Sequence, residues 1–523
     1  MVNKLFRTKS IESIMKDSTE GENKLKRALS VYELVAIGIG CIIGTGIFVL
    51  TGKVAISNAG PGILLSFVIC GVACIFAALC YAEFASFIPI SGSAYTYSYA
   101  TMGELIAWII GWDLILEYGV ATAAVANGWS SHFVNFLELI GLKNFPQQFA
   151  LTPFETVPAT GEHGLFNIPA VMITFGIMAL LIVGIKESAR VNNIIVGIKL
   201  MVAVFFIIVG FFFVKTANWS PVVPEFKPDL TATNHDWSWT SIQHMELWKV
   251  FSHWFGHDPV NGFGGWAGIL LGAGIIFFAY IGFDAVSTTS EEAKNPEKDV
   301  PKGIIYSLLI CTVLYILMSA VFTGIVKCDG SLTLDNLGVD KGAPMVYAFK
   351  QVDSPWVSKY AAFLVDIGAL CGITSVLLVL FLGQSRVFFS MSRDGLISQW
   401  ISKVHPKYQT PYRGTVITGL AVALIAGFIP LGDIAEMANI GTLFAFVLVS
   451  IGIIYLRKKH PDRKGGFRTP FVPAIPIASM VLCLLLMFSL PLITWLRFFV
   501  WMAIGLVIFF LYSQRNSKLN HPS

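Results

Sequence analysis

The chain has 523 residues, 55% of them hydrophobic and only 13% charged, with 41 phenylalanines. Soluble proteins carry about 25% charged residues, and mean hydropathy here is +0.70. Water is therefore excluded as the solvent for most of this sequence, and the lipid bilayer is expected in its place. A net charge of +4 is too small to suggest a nucleic-acid partner.

Residues 1–30 are charged and lack the apolar core of a signal peptide, so no cleavable leader is expected. A spanning helix needs about 20 mainly apolar residues. Twelve such runs follow in chain order, at roughly 33–52, 62–88, 104–126, 167–185, 191–214, 266–290, 304–326, 358–383, 414–430, 436–456, 471–491 and 493–512. The last two are separated only by a kink near Pro491. Basic residues sort across the intervening loops. With the N-terminus cytoplasmic, 25 of the 36 Lys and Arg fall inside, 10 fall outside, and Lys199 is left deep inside a span. Both termini are thus expected in the cytoplasm and the protein in the plasma membrane.

Seven of the eight cysteines lie in apolar runs and only Cys328 lies in a loop, which gives neither a disulfide framework nor a metal-binding spacing. HExxH, GxSxG and P-loop motifs are absent. No enzymatic activity, cofactor or metal is expected.

The first span holds Gly38-Ile39-Gly40-Cys41-Ile42-Ile43-Gly44-Thr45-Gly46-Ile47-Phe48. Each interior glycine costs a helix up to about 1 kcal/mol relative to alanine, so four in nine residues predict an unwound stretch. Close helix packing through the Gly40/Gly44 pair is the alternative. The sixth span is also interrupted, by Gly268, Gly272, Gly274 and Gly282. These two spans stand first in consecutive groups of five, and a repeat with an odd number of spans must be inverted in its second copy. Paired broken helices point to an inverted-repeat transporter with its site at the midplane. Exposed N–H groups at a half-helix N-terminus suit a carboxylate, and free carbonyls suit an ammonium. An α-amino acid carries both.

Several stretches then resemble the amino acid–polyamine–organocation superfamily, in particular its cationic amino acid transporter branch and bacterial relatives. They are Gly38–Phe48, Pro89–Tyr97 (PISGSAYTY), Gly111–Tyr118 (GWDLILEY), Phe277–Asp284 (FFAYIGFD), Glu291–Ile304 (EEAKNPEKDVPKGI), Gly383–Gly395 (GQSRVFFSMSRDG) and Glu436–Leu443 (EMANIGTL). The resemblance implies an all-α membrane protein with a 5+5 inverted-repeat core and two further C-terminal helices. The corresponding divisions are 1–30, 31–216, a loop insertion at 217–265, 266–457, and 458–523. It puts the substrate carboxylate on Gly44, Thr45 and Gly46, with Ile43 beside them, and the ammonium on carbonyls around Ile42, Phe278, Ala279 and Ile281. Phe278, Tyr280 and Phe283 become candidate lids or pocket walls. The insertion exceeds the family's usual length. Its His235, Trp237, Trp239, His244, Trp248, His253, Trp254 and His257 lack tight ligand spacing, and an amphipathic helix at the lipid interface is expected there.

Ionisable residues inside spans are costly and default to functional roles. Lys199 lies about 13 Å along its helix from Arg190 at 1.5 Å per residue, too deep for easy snorkelling. In the resembled family a lysine here occupies the region where sodium-coupled relatives hold an ion. A fixed ammonium that exchanges its proton would then couple transport to protons. Glu117, one turn beyond Asp113, either meets a substrate side chain or pairs with another span. Asp284 is expected to tie the second half of the broken sixth span to its neighbours, and Glu83 and Asp366 to be structural or gating charges. The reading is a proton-coupled amino acid importer whose partners are substrate, proton and lipid. An obligatory exchanger and an arginine or lysine carrier are the alternatives, and accessory subunits are left open.

Overall fold

The computed structural model describes residues 5–10, 29–90, 92–142, 145–157, 161–183, 185–228, 242–243, 245–254, 262–408, 410–461 and 465–520; side chains are described for these except 185–191, 253–254 and 338–341. The described chain is almost wholly helical. In order the helices are α1 (Val31–Ile42), α2 (Gly46–Phe87, interrupted by a bend at Gly60), α3 (Ser93–Thr101), α4 (Glu104–Leu139), α5 (Ile168–Val183), α6 (Ile185–Phe211), α7 (Leu247–Trp254), α8 (Gly265–Ile276), α9 (Pro296–Ile325), α10 (Pro344–Lys350), α11 (Trp356–Arg393), α12 (Tyr412–Phe428), α13 (Leu431–Lys459), α14 (Ala474–Phe488) and α15 (Leu492–Asn516). Eight described helical stretches are long and apolar enough to cross a membrane, and α1, α5, α12 and α14 are shorter apolar helices. This is an all-α membrane protein.

Lipid-facing surface is legible on α6. Met201, Val204, Ile208 and Phe211 are 66%, 42%, 56% and 66% exposed, and their spacing puts them on one helical stripe. Such a stripe has no place in water. Inside the bundle α1 lies between α9 and α11, α4 runs along α11, and α14 packs on α13. Phe48, Phe67, Trp108, Tyr280 and Tyr315 are fully buried where these helices meet.

Three helix boundaries depart from hydropathy. The first span does not end at 52. Helical turns continue to Ala59, and Gly60 (φ +58°) with Pro61 makes the bend, so Lys53 lies on a helix and is half-buried. Helix α4 runs to Leu139 rather than 126 because its polar residues find partners inside the protein. Asn127 Nδ2 donates to Ile429 O at 2.8 Å, and Ser130 Oγ to Asn167 Oδ1 at 2.6 Å. His132 Nδ1 lies 2.5 Å from Asp366 Oδ1. Helix α11 likewise continues to Arg393, with Arg386 donating to Thr288 O at 3.0 Å and to Glu292 Oε1 at 2.6 Å.

In the 217–265 insertion, a two-residue strand pair joins Lys227–Pro228 to Gly262–Phe263. The short helix α7 docks on the α14–α15 turn, through Leu247 N to Leu490 O and Leu492 N to Met245 O. His235, Trp237, Trp239, His244 and His257 lie outside the described residues.

Glu83 receives both Arg457 Nε (2.8 Å) and Nη2 (2.9 Å), together with the Thr469 N–H at 2.8 Å. It thereby joins α2 to α13 and the loop after it. Glu83→Gln leaves a partly buried guanidinium without its counter-charge and costs about 2 kcal/mol. The thermal midpoint in detergent should fall by a few degrees, whereas the exposed Lys302→Gln should leave it unchanged.

Candidate substrate site

Helix α1 stops at Ile42. Ile43 is extended (φ −77°, ψ 104°), and helical structure restarts at Gly46. The second glycine-rich segment is broken too. Helix α8 ends at Ile276, a 3₁₀ turn covers Phe277–Tyr280, and Ile281 is extended (φ −57°, ψ 133°). Gly282 then sits at φ +108° before another 3₁₀ stretch, Phe283–Glu292. Only glycine takes that φ without strain, and a Cβ there would also strike Cys41 Sγ. The two breaks face each other. Gly46 lies directly against the main chain of Ala279, with no room for a methyl group between them.

Breaking a helix leaves its end carbonyls without partners, and the sequence supplies them from other helices. Lys199 Nζ on α6 donates to Gly40 O at 2.6 Å and Ile43 O at 3.0 Å, and reaches Ser375 Oγ at 3.2 Å. Ser375 Oγ on α11 donates to Gly40 O at 2.8 Å. A fully buried lysine thus sits at the C-terminus of α1, where the helix dipole favours its charged form. The Tyr315 hydroxyl on α9 lies 2.7 Å from Ile42 O and 2.8 Å from Ala279 O. With one proton it satisfies one of these carbonyls at a time.

A narrow pocket with a cavity volume of only about 10 Å³, room for about one water molecule, lies between the breaks. Its lining is Cys41, Ile42, Gly44, Thr45 and Gly46 from the first break, Phe278 and Ile281 from the second, Ala121 and Val125 from α4, and Val376 and Leu380 from α11. Thr45 Oγ1 approaches Val125 O at 3.5 Å, a long contact across the pocket wall rather than a bond to its own helix. Of the remaining site candidates, Ile43 presents its carbonyl to Lys199, and Ala279 packs under Gly46. Phe283 lies away from the lining, its ring against Phe446 (5.0 Å) and Tyr81 (5.9 Å).

Glu117 is fully buried one turn before Ala121 but does not line the pocket. It lies beside Asp284. Asp284 accepts the Tyr118 hydroxyl and, at 3.4 Å, Ser93 Oγ, which joins the second break to α3 and α4. Asp366 pairs with His132 across α11 and α4. Sequence reasoning missed Ser375, Tyr315, Ala121, Val125, Val376 and Leu380. Each is an ordinary hydroxyl, aromatic or aliphatic residue in an apolar run, with no local signal to single it out.

Two interrupted helices meeting over a small pocket inside a helical bundle mark a multi-pass membrane protein with a candidate site between its helix breaks. The chain matches the family described as Amino acid permease over residues 29–521, and it belongs to that family, within the amino acid–polyamine–organocation superfamily of transporters. It is 46% identical over 520 residues to the Branched-chain amino acid permease BcaP of Bacillus subtilis (strain 168), covering 99% of this chain and 100% of that one. It is 46% identical over 517 residues to the Methylthioribose transporter of the same organism, covering 99% of each. It is also 34% identical over 463 residues to the Cationic amino acid transporter 4, vacuolar, of Arabidopsis thaliana, covering 88% of this chain and 68% of that one.

Proposed function

We propose that this protein imports branched-chain amino acids across the plasma membrane by proton-coupled alternating access. The observation that carries the substrate assignment is the pocket wall. Ala121, Val125, Phe278, Val376 and Leu380 are apolar, and among the described residues no acidic side chain lines the cavity. A buried guanidinium or ammonium on the substrate side chain would need a counter-charge there, which the lining does not supply, whereas the side chains of leucine, isoleucine and valine need none. At the other end of the substrate, the N–H groups of Gly44, Thr45 and Gly46 receive the carboxylate. The carbonyls of Ile42, Phe278 and Ile281 receive the ammonium, which competes with Tyr315 for Ile42 O. The sequence similarity to a branched-chain permease supports this reading.

Proton coupling is assigned to Lys199. Charged, it holds the end of α1 to α6 and α11. When it gives up its proton it loses one of three donors, and the grip on α1 slackens. The exchanger reading keeps Lys199 permanently charged, which its carbonyl and hydroxyl partners also permit. Architecture follows the same proposal, with twelve spans, inverted five-helix groups at 31–216 and 266–457, and both termini cytoplasmic. The eight long and four shorter apolar helices support it.

Competition against labelled leucine in proteoliposomes, at two external pH values, tests the assignment. Isoleucine and valine should compete fully, while arginine and methylthioribose should not, and uptake should rise as the outside is acidified. Methylthioribose has neither a carboxylate nor an ammonium for the two breaks to hold. Full competition by arginine would move the substrate to the cationic class, and counterflow indifferent to pH would select the exchanger.

A further inference from the structure

The pocket-facing stripes of two helices run on past the pocket and meet. On α4, Ala121 and Val125 line the cavity, and a methyl group on Gly128 would strike the Thr45 side chain. His132 follows one turn later on the same stripe. On α11, Leu380 and Val376 line the cavity, and Ala369 and Asp366 carry that face onward. There His132 Nδ1 lies 2.5 Å from Asp366 Oδ1, and both side chains are fully buried. Ionisable groups inside a span are costly to keep, and the contact between α4 and α11 uses only one of the two ring nitrogens. His132 Nε2 has no hydrogen-bond partner among the described residues.

Phe48 covers this histidine. Its ring stands perpendicular to the imidazole, with centroids 6.4 Å apart. Phe48 belongs to the turn that restarts after the first break. It also reaches α11 beside Lys199: a methyl on Gly372 would lie 3.4 Å from Phe48 Cε2 and from Lys199 Cβ and Cδ. Movement of the start of α2 against α4 therefore uncovers His132. The carboxylate beside Nδ1 fixes the neutral ring's proton there and leaves Nε2 as a bare acceptor. A second proton goes to Nε2. The resulting charged N–H needs a strong acceptor such as water, and a phenyl ring is a weak one. Protonation of His132 and displacement of Phe48 thus favour each other.

We infer that His132 is a proton-accepting residue on the outer side of the pocket, held by Asp366 and shuttered by Phe48. A hydronium ion outside gives its proton to the Nε2 lone pair while Phe48 is displaced, Nδ1–H stays on Asp366, and the proton returns to water before Phe48 closes. Among the described residues Asp366 is the one ionisable side chain bonded to His132. The outer halves of the elements packed around it also carry Glu138 on α4, Lys359 on α11, Lys53 on α2, Asp335 in the turn before α10, and Asp433 and Glu436 on α13. Helix α5 and the outer half of α12 carry none. Lys199 stands beyond Gly372. The inference rests on the proposed transport function and topology, and it holds whether or not Lys199 exchanges a proton.

Leucine counterflow with equal pH inside and out, at pH 5.5, 6.5 and 7.5, tests this without a gradient and brackets the ordinary imidazole value of about 6.5. The wild-type KM should be about fivefold lower at pH 5.5 than at pH 7.5. His132→Asn keeps a donor toward Asp366 where Nδ1 stood and has nothing at Nε2, so its KM should be the same at all three values. Asp366→Asn leaves an imidazolium without its counter-charge and should flatten the profile likewise. Phe48→Leu leaves the pair intact but lets water reach Nε2 throughout the cycle, so the step should shrink there too. Lys199→Arg should keep it. A step that survives in His132→Asn, or at full size in Phe48→Leu, would overturn the inference. Its loss in Lys199→Arg alone would assign the pH response to Lys199 instead. A flat wild-type profile would also overturn His132, whatever the fate of Lys199, which uptake driven by a pH gradient decides separately.

Discussion

Lys199→Ala is expected to abolish leucine uptake driven by a pH gradient, with at least a tenfold loss, while leucine counterflow at equal pH survives at a reduced rate. Two effects combine. The substitution removes every donor that Lys199 gives to Gly40 O and Ile43 O, and an unsatisfied buried acceptor costs about 1–3 kcal/mol. Ser375 still serves Gly40, so Ile43 O bears most of the loss. The exchangeable proton goes with the ammonium. Lys199→Arg separates these effects, because a guanidinium supplies donors and charge but does not deprotonate in proteins. It should restore part of the counterflow and none of the pH drive. A methyl group added at Gly372 would lie 3.4 Å from Lys199 Cβ and Cδ, so α11 passes close to this side chain, and the thermal midpoint of the larger arginine variant should be read beside transport. Full pH-driven uptake in the alanine variant would remove Lys199 from the coupling mechanism.

The breaks were legible because glycine is the one residue whose effect on a helix is local. Gly44 and Gly282 fall at the interruptions, whereas Gly38 and Gly40 remain helical and serve close packing, against Ser307 and against Val196 and Asn192. Both readings of the glycine cluster therefore hold, at different residues. The ends of α4 and α11 were illegible for the opposite reason. Hydropathy scores Asn127, Ser130, His132 and Arg386 as though each faced water, but all four bond to protein partners that belong to distant parts of the chain. Glu117 shows the same limit. Sequence places a carboxylate on the right helix, and only the fold shows that it turns toward Asp284 while Ala121 and Val125 face the cavity. Tyr315 had to be seen in place, since nothing distinguishes it from other aromatics until its hydroxyl is found between two orphan carbonyls.

Gly46→Ala tests the other half of the proposal, that the two breaks must touch. A methyl group at this position meets Ala279 Cα, Cβ and N. Main chain cannot swing aside as a flexible side chain can, so the Phe277–Tyr280 turn has to move bodily. Overpacking of this kind costs about 1–3 kcal/mol, and here it falls on the groups assigned to the carboxylate and the ammonium. The protein should still purify as a single species, with leucine uptake below about a tenth of the wild-type rate and a raised KM in counterflow. Gly176→Ala is the matched control, since it is also a helical glycine but nothing lies within 4 Å of the added methyl. It should transport normally and stabilise α5 by up to about 1 kcal/mol. Gly282→Ala should repeat the Gly46→Ala loss from the facing side, because φ +108° strains any side chain and Cys41 Sγ blocks the methyl. Loss in both facing variants with activity kept in Gly176→Ala is the pattern that contact between the breaks requires. Wild-type uptake by Gly46→Ala would mean that the carrier tolerates a gap there, and the carboxylate and ammonium would need other partners.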